Sequence, residues 1–311
     1  MNIAHAAPAT VTPDWQRGEV TANGIKLHYE IAGPANGEPL LLVMGLSAQL
    51  IHWPDAFCAQ LVDQGFRVIR FDNRDIGLSG SGCSRIRIRL QRDMIRSKLG
   101  AKLDANYTLY DMAKDTVGLL DALGIPKAHF VGASMGGMIS QIVAGTHPER
   151  VLSLTSIMSS TNSPKLPMPK FSVLLQMAPP FGVKHDRASV IARVVKLFSA
   201  IGSPAYPTPL AERERIAALA FDRAYRPAGM LRQTHGILAT GSFEPVLANV
   251  KAPTQVIHGL DDPLVRPAGG QRTAQLIRGA KLELIKGMGH DFPVGLAPRW
   301  VGLIAANAGR A

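Results

Sequence analysis

The sequence predicts an α/β fold, with a mostly parallel central sheet, helices on both faces of the sheet and an inserted helical cap. Short apolar runs alternate with helix-compatible segments over most of the 311 residues. A Gly-x-Ser-x-Gly pattern stands between one apolar run and the helix-compatible segment that follows it. The alternation breaks only between residues 161 and 244.

Two kinds of pattern predict the individual elements. Alternating apolar and polar residues around Asn23-Gly24 predict a β-hairpin over residues 19–32. A continuous apolar run at residues 39–44 suits a strand that is buried on both faces, and further strands are predicted at residues 66–71, 128–131, 151–158, 254–258 and 281–285. Amphipathic stretches that end at a glycine predict helices at residues 53–64 and 109–123.

The stretch from residue 161 to residue 244 is rich in proline and carries amphipathic pieces at residues 190–200 and 211–221. Because it is too long for a loop inside a compact domain, we expect a helical insertion there. The predicted organisation is a disordered lead over residues 1–16, a core formed by residues 17–160 and 245–311, and the helical insertion at residues 161–244 as a cap.

Composition indicates the setting in which the protein works. The two cysteines, Cys58 and Cys83, are too few for a disulfide framework, which favours a reducing compartment and structural thiols. No apolar run approaches the roughly 18 residues of a membrane span, and residues 1–13 lack the features of a signal peptide. We therefore expect a soluble, cytoplasmic protein.

The formal net charge is +11, and much of the excess is local. Against a single acid, Asp93, residues 85–102 contain seven basic side chains, those of Arg85, Arg87, Arg89, Arg92, Arg96, Lys98 and Lys102. Aromatic residues for base stacking are absent from this segment. We interpret it as a solvated basic helix, with an anionic surface or acidic partner as the alternative and specific nucleic-acid binding as a remote option.

Residues 128–138 read A-H-F-V-G-A-S-M-G-G-M and contain the Gly-x-Ser-x-Gly pattern. A serine on a sharp turn between a strand and a helix has strained dihedral angles, so the residues two before and two after it must lack side chains. The helix that follows points its unpaired N–H groups at the place where an oxyanion would form. Ser134 is the predicted nucleophile, and an ordinary glycine-rich turn is the alternative.

Two later strands end in side chains that would complete such a site. The run at residues 254–258 leads to Asp261 and Asp262, and the run at residues 281–285 leads to His290 on a glycine-rich loop. A serine hydroxyl needs an imidazole to take its proton, and the imidazole needs a carboxylate to hold its other N–H. His290 is the predicted base, and the two aspartates compete for the role of acid.

The remaining histidines receive weaker interpretations. We expect His258 to pack near the site as a strand-end residue. Surface or core positions are expected for His52, His147, His185 and His235, of which His52 or His235 could line a pocket.

Two backbone N–H groups are expected to hold the oxyanion. One belongs to Met135, directly after the predicted nucleophile. The other lies in the Gly45-Leu46 turn after the run at residues 39–44, with the Leu46 N–H as the donor.

Five motifs together resemble bacterial α/β-hydrolase esterases, most of all the aclacinomycin-methylesterase-like carboxylesterases. They are V-M-G-L at residues 43–46, F-D-N-R-D-I-G-L-S at 71–79, G-A-S-M-G-G at 132–137, H-G-L-D-D-P-L-V at 258–265 and G-M-G-H-D-F-P at 287–293. The resemblance implies an α/β-hydrolase fold and a structural role for the turn at residues 72–79. Met44 departs from the family, which commonly has histidine there, and the basic segment at residues 85–102 is not explained by the family pattern.

By the family pattern, Ser134 is the nucleophile, His290 is the base and Asp262, directly before Pro263, is the acid. The Leu46 and Met135 amides are the oxyanion donors. The implied activity is that of a serine carboxylic-ester hydrolase that works through an acyl-enzyme, with no metal or organic cofactor. The alternatives are a cofactor-free perhydrolase or haloperoxidase, a C–C bond hydrolase on the same triad, and a ligand-binding receptor with low turnover.

The helical insertion is rich in apolar residues, which suggests a pocket for an apolar acyl or alcohol group. The alternative is that these residues form the packing core of the insertion itself. The side chains in question are Phe171, Leu174, Leu175, Met177 and Phe181.

Overall fold

The computed structural model describes residues 12–81, 87–177 and 184–311 and contains a central sheet of eight strands. The strands are β1 (Gln16–Ala22), β2 (Ile25–Ala32), β3 (Glu38–Val43), β4 (Phe66–Phe71), β5 (Ala128–Ala133), β6 (Val151–Ile157), β7 (Thr254–Gly259) and β8 (Lys281–Ile285). The α-helices are α1 (Asp55–Asp63), α2 (Leu90–Lys98), α3 (Leu109–Ala122), α4 (Met135–Thr146), α5 (Phe171–Met177), α6 (Arg187–Ile201), α7 (Leu210–Arg223), α8 (Pro227–Thr240), α9 (Glu244–Leu247), α10 (Ala268–Leu276) and α11 (Ala297–Ala308).

The strand order is β1-β2-β4-β3-β5-β6-β7-β8. β2 pairs antiparallel with β1 and with β4, and all other neighbours are parallel, which confirms the predicted mostly parallel sheet. The predicted hairpin is also present, as β1 and β2. Its two turn residues, Asn23 and Gly24, both have positive φ, 49° and 74°, which a two-residue turn of this kind requires.

Helices cover both faces of the sheet because its central strands are apolar on both sides. In β3, Leu41 and Val43 contribute to a buried cluster that includes side chains of α3 and α4. Leu40 and Leu42 point the other way, into a cluster that includes side chains of α1 and α11. The continuous run that predicted a strand therefore fills two cores at once.

Element boundaries differ from the predicted ones by at most three residues where a pattern was available. The β4 and β8 runs coincide with the strands, whereas the amphipathic pieces of the insertion extend further, as α6 and α7. Cys58 is buried, as expected, and burial raises the pKa of its thiol to about 12. Cys83, Arg85 and Phe181 and most of the predicted lead lie outside the described residues.

The predicted lead meets the core at its last residues. The Trp15 indole donates a hydrogen bond to Asp55, and the Arg70 guanidinium lies 3.8 Å from the centre of the Trp15 ring. β1 begins directly afterwards, at Gln16.

Helices α5–α8 lie between β6 and β7, in the region predicted as the helical insertion, and α9 starts at residue 244. Two arginines of the insertion reach buried carboxylates of the core turn at residues 72–79. Arg223 Nη1 lies 2.7 Å from Asp72 Oδ2, and Arg232 forms two hydrogen bonds of 2.8 Å with Asp75. The turn thus anchors the insertion to the sheet.

The same turn is held from the core side. Asp72 accepts hydrogen bonds from the backbone N–H groups of Leu50 and Leu78, and the Tyr107 hydroxyl donates to Asp75. These contacts account for a structural role of residues 72–79.

In the part of the chain that the structure describes, none of the helices combines the length and the apolar character that crossing a membrane requires.

Arg232→Ala tests the anchoring of the insertion. Burial raises the pKa of Asp75, but hydrogen bonds from Arg232, Ser81 and Tyr107 outweigh it, so the pKa lies below its ordinary value. Loss of the arginine leaves the Asp75 carboxylate buried without its main partner, and we expect the free energy of unfolding at pH 7 to fall by about 3 kcal/mol. Urea unfolding measures this change.

The control and the pH dependence make this prediction specific. Arg187→Ala breaks an exposed pair with Asp222 of similar geometry, and we expect no measurable change. A carboxylate with a lowered pKa stabilises the fold above its unfolded pKa, about 3.9, and loses that effect as the pH falls. The gap between wild type and Arg232→Ala should therefore narrow below about pH 4. Equal losses in both variants would contradict the anchoring role.

Candidate active site

Ser134 lies on a sharp turn between β5 and α4, with φ 53° and ψ −121°. The turn is possible because two glycines without side chains let the neighbouring backbone segments come into direct contact. A Cβ on Gly132 would lie 2.3 Å from the Gly136 carbonyl oxygen, and a Cβ on Gly136 would lie 2.0 Å from the carbonyl oxygen of Val43. Both glycines of the Gly-x-Ser-x-Gly pattern are therefore required by space, and the strain at Ser134 is maintained by packing.

Further hydrogen bonds fix the serine backbone. The Ser134 N–H donates to the Ile157 carbonyl at the end of β6, and the Ser159 hydroxyl donates to the Ser134 carbonyl at 2.7 Å.

The structure brings Ser134, His290 and Asp262 together. His290 Nε2 lies 3.0 Å from Ser134 Oγ, and His290 Nδ1 lies 2.7 Å from Asp262 Oδ2. With the proton on Nδ1, the imidazole donates to the carboxylate and its Nε2 accepts from the serine hydroxyl. This is the arrangement that general-base activation of a serine needs.

Asp262 is completely buried, and its second oxygen is also in use. Oδ1 accepts hydrogen bonds of 2.9 Å from the N–H groups of Leu264 and Val265, which leaves Oδ2 turned to His290. Asp261, the rival for this position, is exposed and accepts from the Gly287 N–H instead. Its carboxylate therefore ties the acid loop to the histidine loop.

His258 packs beside the acid, as the sequence suggested. It is fully buried, its Nε2 lies 2.8 Å from the Val265 carbonyl oxygen, and the same nitrogen is 3.6 Å from Asp262 Oδ2. Burial lowers the pKa of His258 despite the nearby carboxylate. A neutral His258 donates from Nε2 to the Val265 carbonyl, and this hydrogen bond ties together the two ends of the loop that carries Asp262.

The helical insertion holds the loop of His290, a contact that no sequence pattern predicted. The His290 N–H donates to the Ile201 carbonyl at 2.6 Å, and the Gly289 N–H donates to the Ser203 hydroxyl. Ser203 in turn donates to the carboxylate of Asp291. Burial raises the pKa of the Asp291 carboxyl above its ordinary value, although the Ser203 hydrogen bond opposes this shift.

The turn after β3 lies against the serine. A Cβ on Gly45 would lie 3.2 Å from Ser134 Cβ, so the Gly45-Leu46 turn is adjacent to the hydroxyl. Asn73 donates to the Met44 carbonyl, and the Ser47 N–H donates to Gln233 of α8. Asn73 thus braces the turn at the position where Met44 departs from the family pattern.

The two expected oxyanion donors are available on this side of the serine. Met135 is the first residue of α4, where an N–H group has no partner within the helix. Across the described residues, the Leu46 and Met135 amides donate to no protein acceptor. At Met135 the N-terminus of α4 adds a dipole that favours an anion.

Other predicted side chains lie elsewhere. Phe171, Leu175 and Met177 of α5 are exposed and Leu174 is half-buried, so none of these four side chains belongs to a buried packing core. His235 is buried and lies 3.3 Å from Asp93 through its Nε2. His52 contacts the backbone of Gln49.

No group of three or more histidine, cysteine, aspartate or glutamate side chains within residues 12–81, 87–177 and 184–311 is arranged to hold a metal ion.

Comparison with known proteins gives a family match over most of the chain. The family model described as alpha/beta hydrolase fold matches residues 38–294. The protein named "Putative carbamate hydrolase RutD" of Variovorax paradoxus (strain S110) is 30% identical over 86% of this chain and 90% of its own length. Rhodomycin D methylesterase DauP of Streptomyces sp. (strain C5) is 26% identical over 93% of this chain and 96% of its own length.

A solved structure agrees with the architecture. A meta-cleavage product hydrolase from Pseudomonas fluorescens IP01 superposes with a TM-score of 0.69, at 19% identity, over 94% of this chain and 97% of the other. At this identity the similarity shows the fold alone.

Gly136→Ala tests the backbone packing at the serine turn. The added methyl would overlap the Val43 carbonyl oxygen, so either β3 or α4 must move, and we expect a loss of about 3 kcal/mol of stability. Thermal unfolding followed by circular dichroism measures it. Gly302→Ala is the control, because no atom lies within 4 Å of a Cβ there. It should stabilise α11 by about 0.5–1 kcal/mol, and a similar effect of both substitutions would contradict the packing argument.

Proposed function

The chain belongs to the α/β hydrolase fold family, and from that membership we propose that it is a serine hydrolase that cleaves carboxylic esters through an acyl-enzyme on Ser134. One observation supports the chemistry most strongly. Ser134, His290 and Asp262 form a continuous line of hydrogen bonds of 3.0 Å and 2.7 Å, although they follow three different strands. Ser134 has an imidazole beside it to take its proton, and His290 has a carboxylate beside it to hold its other N–H.

In the proposed acylation step, Ser134 Oγ attacks the ester carbonyl carbon while its proton passes to His290 Nε2. The imidazolium that forms is stabilised by the Asp262 carboxylate at Nδ1. Collapse of the tetrahedral intermediate breaks the bond to the leaving alkoxide, which takes the proton from Nε2. The alcohol leaves and the acyl group remains on Ser134.

In the proposed deacylation step, water attacks the acyl-enzyme and gives one proton to His290. Collapse of the second intermediate releases the carboxylic acid and returns that proton to Ser134 Oγ. In both steps the negative oxygen would accept hydrogen bonds from the Leu46 and Met135 amides. The protein then needs no metal or organic cofactor for the reaction.

The proposal of an ester as substrate draws on the relatives. Rhodomycin D methylesterase DauP carries an ester-cleaving activity in its name, and it aligns with nearly the whole chain. The relative named for carbamate hydrolysis favours a carbamate as a second candidate, because it differs from an ester only by nitrogen on the acyl carbon. C–C bond hydrolysis, perhydrolysis or haloperoxidation, and a receptor with low turnover remain rivals on the same fold.

The helical insertion is proposed to act as the cap over this site. Its contact with the loop of His290 supports that position. For the compartment we propose the cytoplasm, because two cysteines in 311 residues provide little scope for disulfides.

A panel of substrates distinguishes the rivals. p-Nitrophenyl acetate and butyrate, an aryl carbamate, a ring-cleavage diketone and peroxide-dependent halogenation are each assayed under the same conditions. We expect turnover of the esters to exceed turnover of all the others. Faster cleavage of the carbamate or the diketone would replace the proposed substrate class, and negligible turnover of every compound would favour the receptor.

Ser134→Ala tests the nucleophile. Without the hydroxyl no acyl-enzyme forms, and we expect kcat/KM for p-nitrophenyl acetate to fall by roughly 10⁴-fold or more. A serine-directed phosphonate should label the wild type and leave the variant unlabelled, as read by intact mass. Ser172→Ala, at an exposed serine of α5, is the control and should keep both activity and labelling. Retained turnover in Ser134→Ala would remove the proposed mechanism.

Separate substitutions of the two adjacent aspartates test which carboxylate holds His290. Asp262→Asn should lower kcat by roughly 10³–10⁴-fold, because an amide at this position favours the wrong tautomer of His290. Asp261→Asn keeps an acceptor for the Gly287 N–H and should stay within about tenfold of wild type. Both are measured by steady-state kinetics on the same ester. A larger loss in Asp261→Asn would reverse the assignment.

A further inference from the structure

Helix α2 displays large aliphatic side chains to solvent. Ile95 is 64% exposed and Leu99, which directly follows the helix, is 80% exposed. Residues 92, 95, 98 and 99 fall within one sector of about 120° at 100° per residue, so Arg92 and Lys98 flank the aliphatic pair. Both basic side chains are exposed. We call Arg92, Ile95, Lys98 and Leu99 the α2 face.

The opposite side of α2 is occupied by contacts with α8. Asp93 is buried, lies 3.3 Å from His235 Nε2 and accepts a hydrogen bond from the Arg89 N–H. The Ser97 hydroxyl donates to the Leu238 carbonyl. Asp93 is the only acid between residues 87 and 102, so the α2 face has basic and aliphatic groups and no carboxylate. These polar contacts fix which side of the helix meets solvent.

We propose that the α2 face binds the surface of an anionic lipid bilayer. Aliphatic side chains gain free energy when they enter the interface between headgroups and acyl chains. Lysine and arginine beside them are attracted by anionic headgroups. A bilayer offers an apolar interface and anionic headgroups at the same time, and these match the aliphatic and basic side chains of the α2 face.

Other occupants fit the charge pattern less well. A second copy of the chain would bring two basic faces together, in a protein whose formal net charge is already +11. A nucleic acid would meet the arginine and lysine but offers no apolar phase for Ile95 and Leu99, and aromatic stacking residues are absent from α2. Charge complementarity together with exposed aliphatic groups therefore favours lipid.

The position of α2 gives the contact a consequence. α8, on which α2 packs, also carries Gln233, whose side-chain oxygen accepts a hydrogen bond from the Ser47 N–H, next to the Gly45-Leu46 turn. A bilayer at the α2 face would therefore meet the side of the molecule that carries the helical insertion. Esters with long acyl or alcohol chains partition into bilayers, and the bound protein would encounter them there. The proposal concerns attachment and does not depend on the proposed reaction.

Vesicle flotation tests the electrostatic part. The full chain is mixed with vesicles of phosphatidylcholine alone or of equal parts phosphatidylcholine and phosphatidylglycerol. We expect binding to the anionic vesicles only, with loss at high salt. The double substitution Arg92→Gln and Lys98→Gln should lower the partition coefficient about tenfold or more. The pair Lys127→Gln and Arg278→Gln removes the same charge from exposed positions elsewhere and should have a much smaller effect.

A second pair of variants tests the aliphatic part. Ile95→Gln with Leu99→Gln should weaken binding to anionic vesicles and reduce the depth of insertion, read as the quenching of a fluorophore attached beside the helix. Phe171→Gln with Leu175→Gln removes an equally exposed apolar pair from α5 and should leave binding unchanged. If the α5 pair abolishes binding and the α2 pair does not, the assignment to α2 is wrong.

Further outcomes overturn the proposal. They are equal binding to both kinds of vesicle, no binding to either, an equal loss in the matched charge control, a dimer that Ile95→Gln with Leu99→Gln dissociates, and retention on DNA that exceeds retention on vesicles. Circular dichroism and p-nitrophenyl acetate turnover should be unchanged in the α2 variants, because the α2 face contains none of the proposed catalytic groups. Ser134→Ala should bind vesicles like the wild type, so failure of the reaction and failure of the attachment are separate results.

Discussion

Direct backbone-to-backbone packing around Ser134 is the constraint on which the site depends. Gly132 and Gly136 let β5, α4 and the end of β3 approach to distances that any side chain would prevent. Because those three segments cannot shift independently, the serine hydroxyl and the Leu46 and Met135 amides are held in one fixed relation. In the proposed reaction, donors fixed in this way would need no rearrangement when charge develops on the substrate.

Buried polar contacts connect the helical insertion to this rigid centre at two places. Arg223 and Arg232 bind carboxylates of the turn at residues 72–79, and Asn73 of that turn braces Met44 beside the serine. At the other place the segment after α6 holds the loop of His290. The insertion therefore helps to set the proposed catalytic geometry.

The sequence predicted the features that depend on local pattern. Apolar runs located the strands, and the glycines around Ser134 located the turn, because space and period leave a trace in neighbouring residues. The contacts of Ser203, Gln233 and Arg232 left no such trace, since each joins residues far apart in the chain. The exposure of Phe171 and Leu175 was not predicted either, because a short apolar helix has the same composition whether its outer face meets protein or solvent. Helices α10 and α11 were not identified individually, although the core containing them was.

The Ile201–His290 hydrogen bond and the arginine contacts have a consequence for engineering. Exchanging residues 161–244 for the equivalent segment of a relative, in order to alter selectivity, would remove Arg223, Arg232 and Ser203 together. Such a chimera would retain Asp72, Asp75 and Asp291 as buried acids that have lost their partners from the insertion. A graft on this scaffold needs to transfer both partners of each of these contacts. A library that diversifies the insertion should keep Arg223, Arg232 and Ser203 constant.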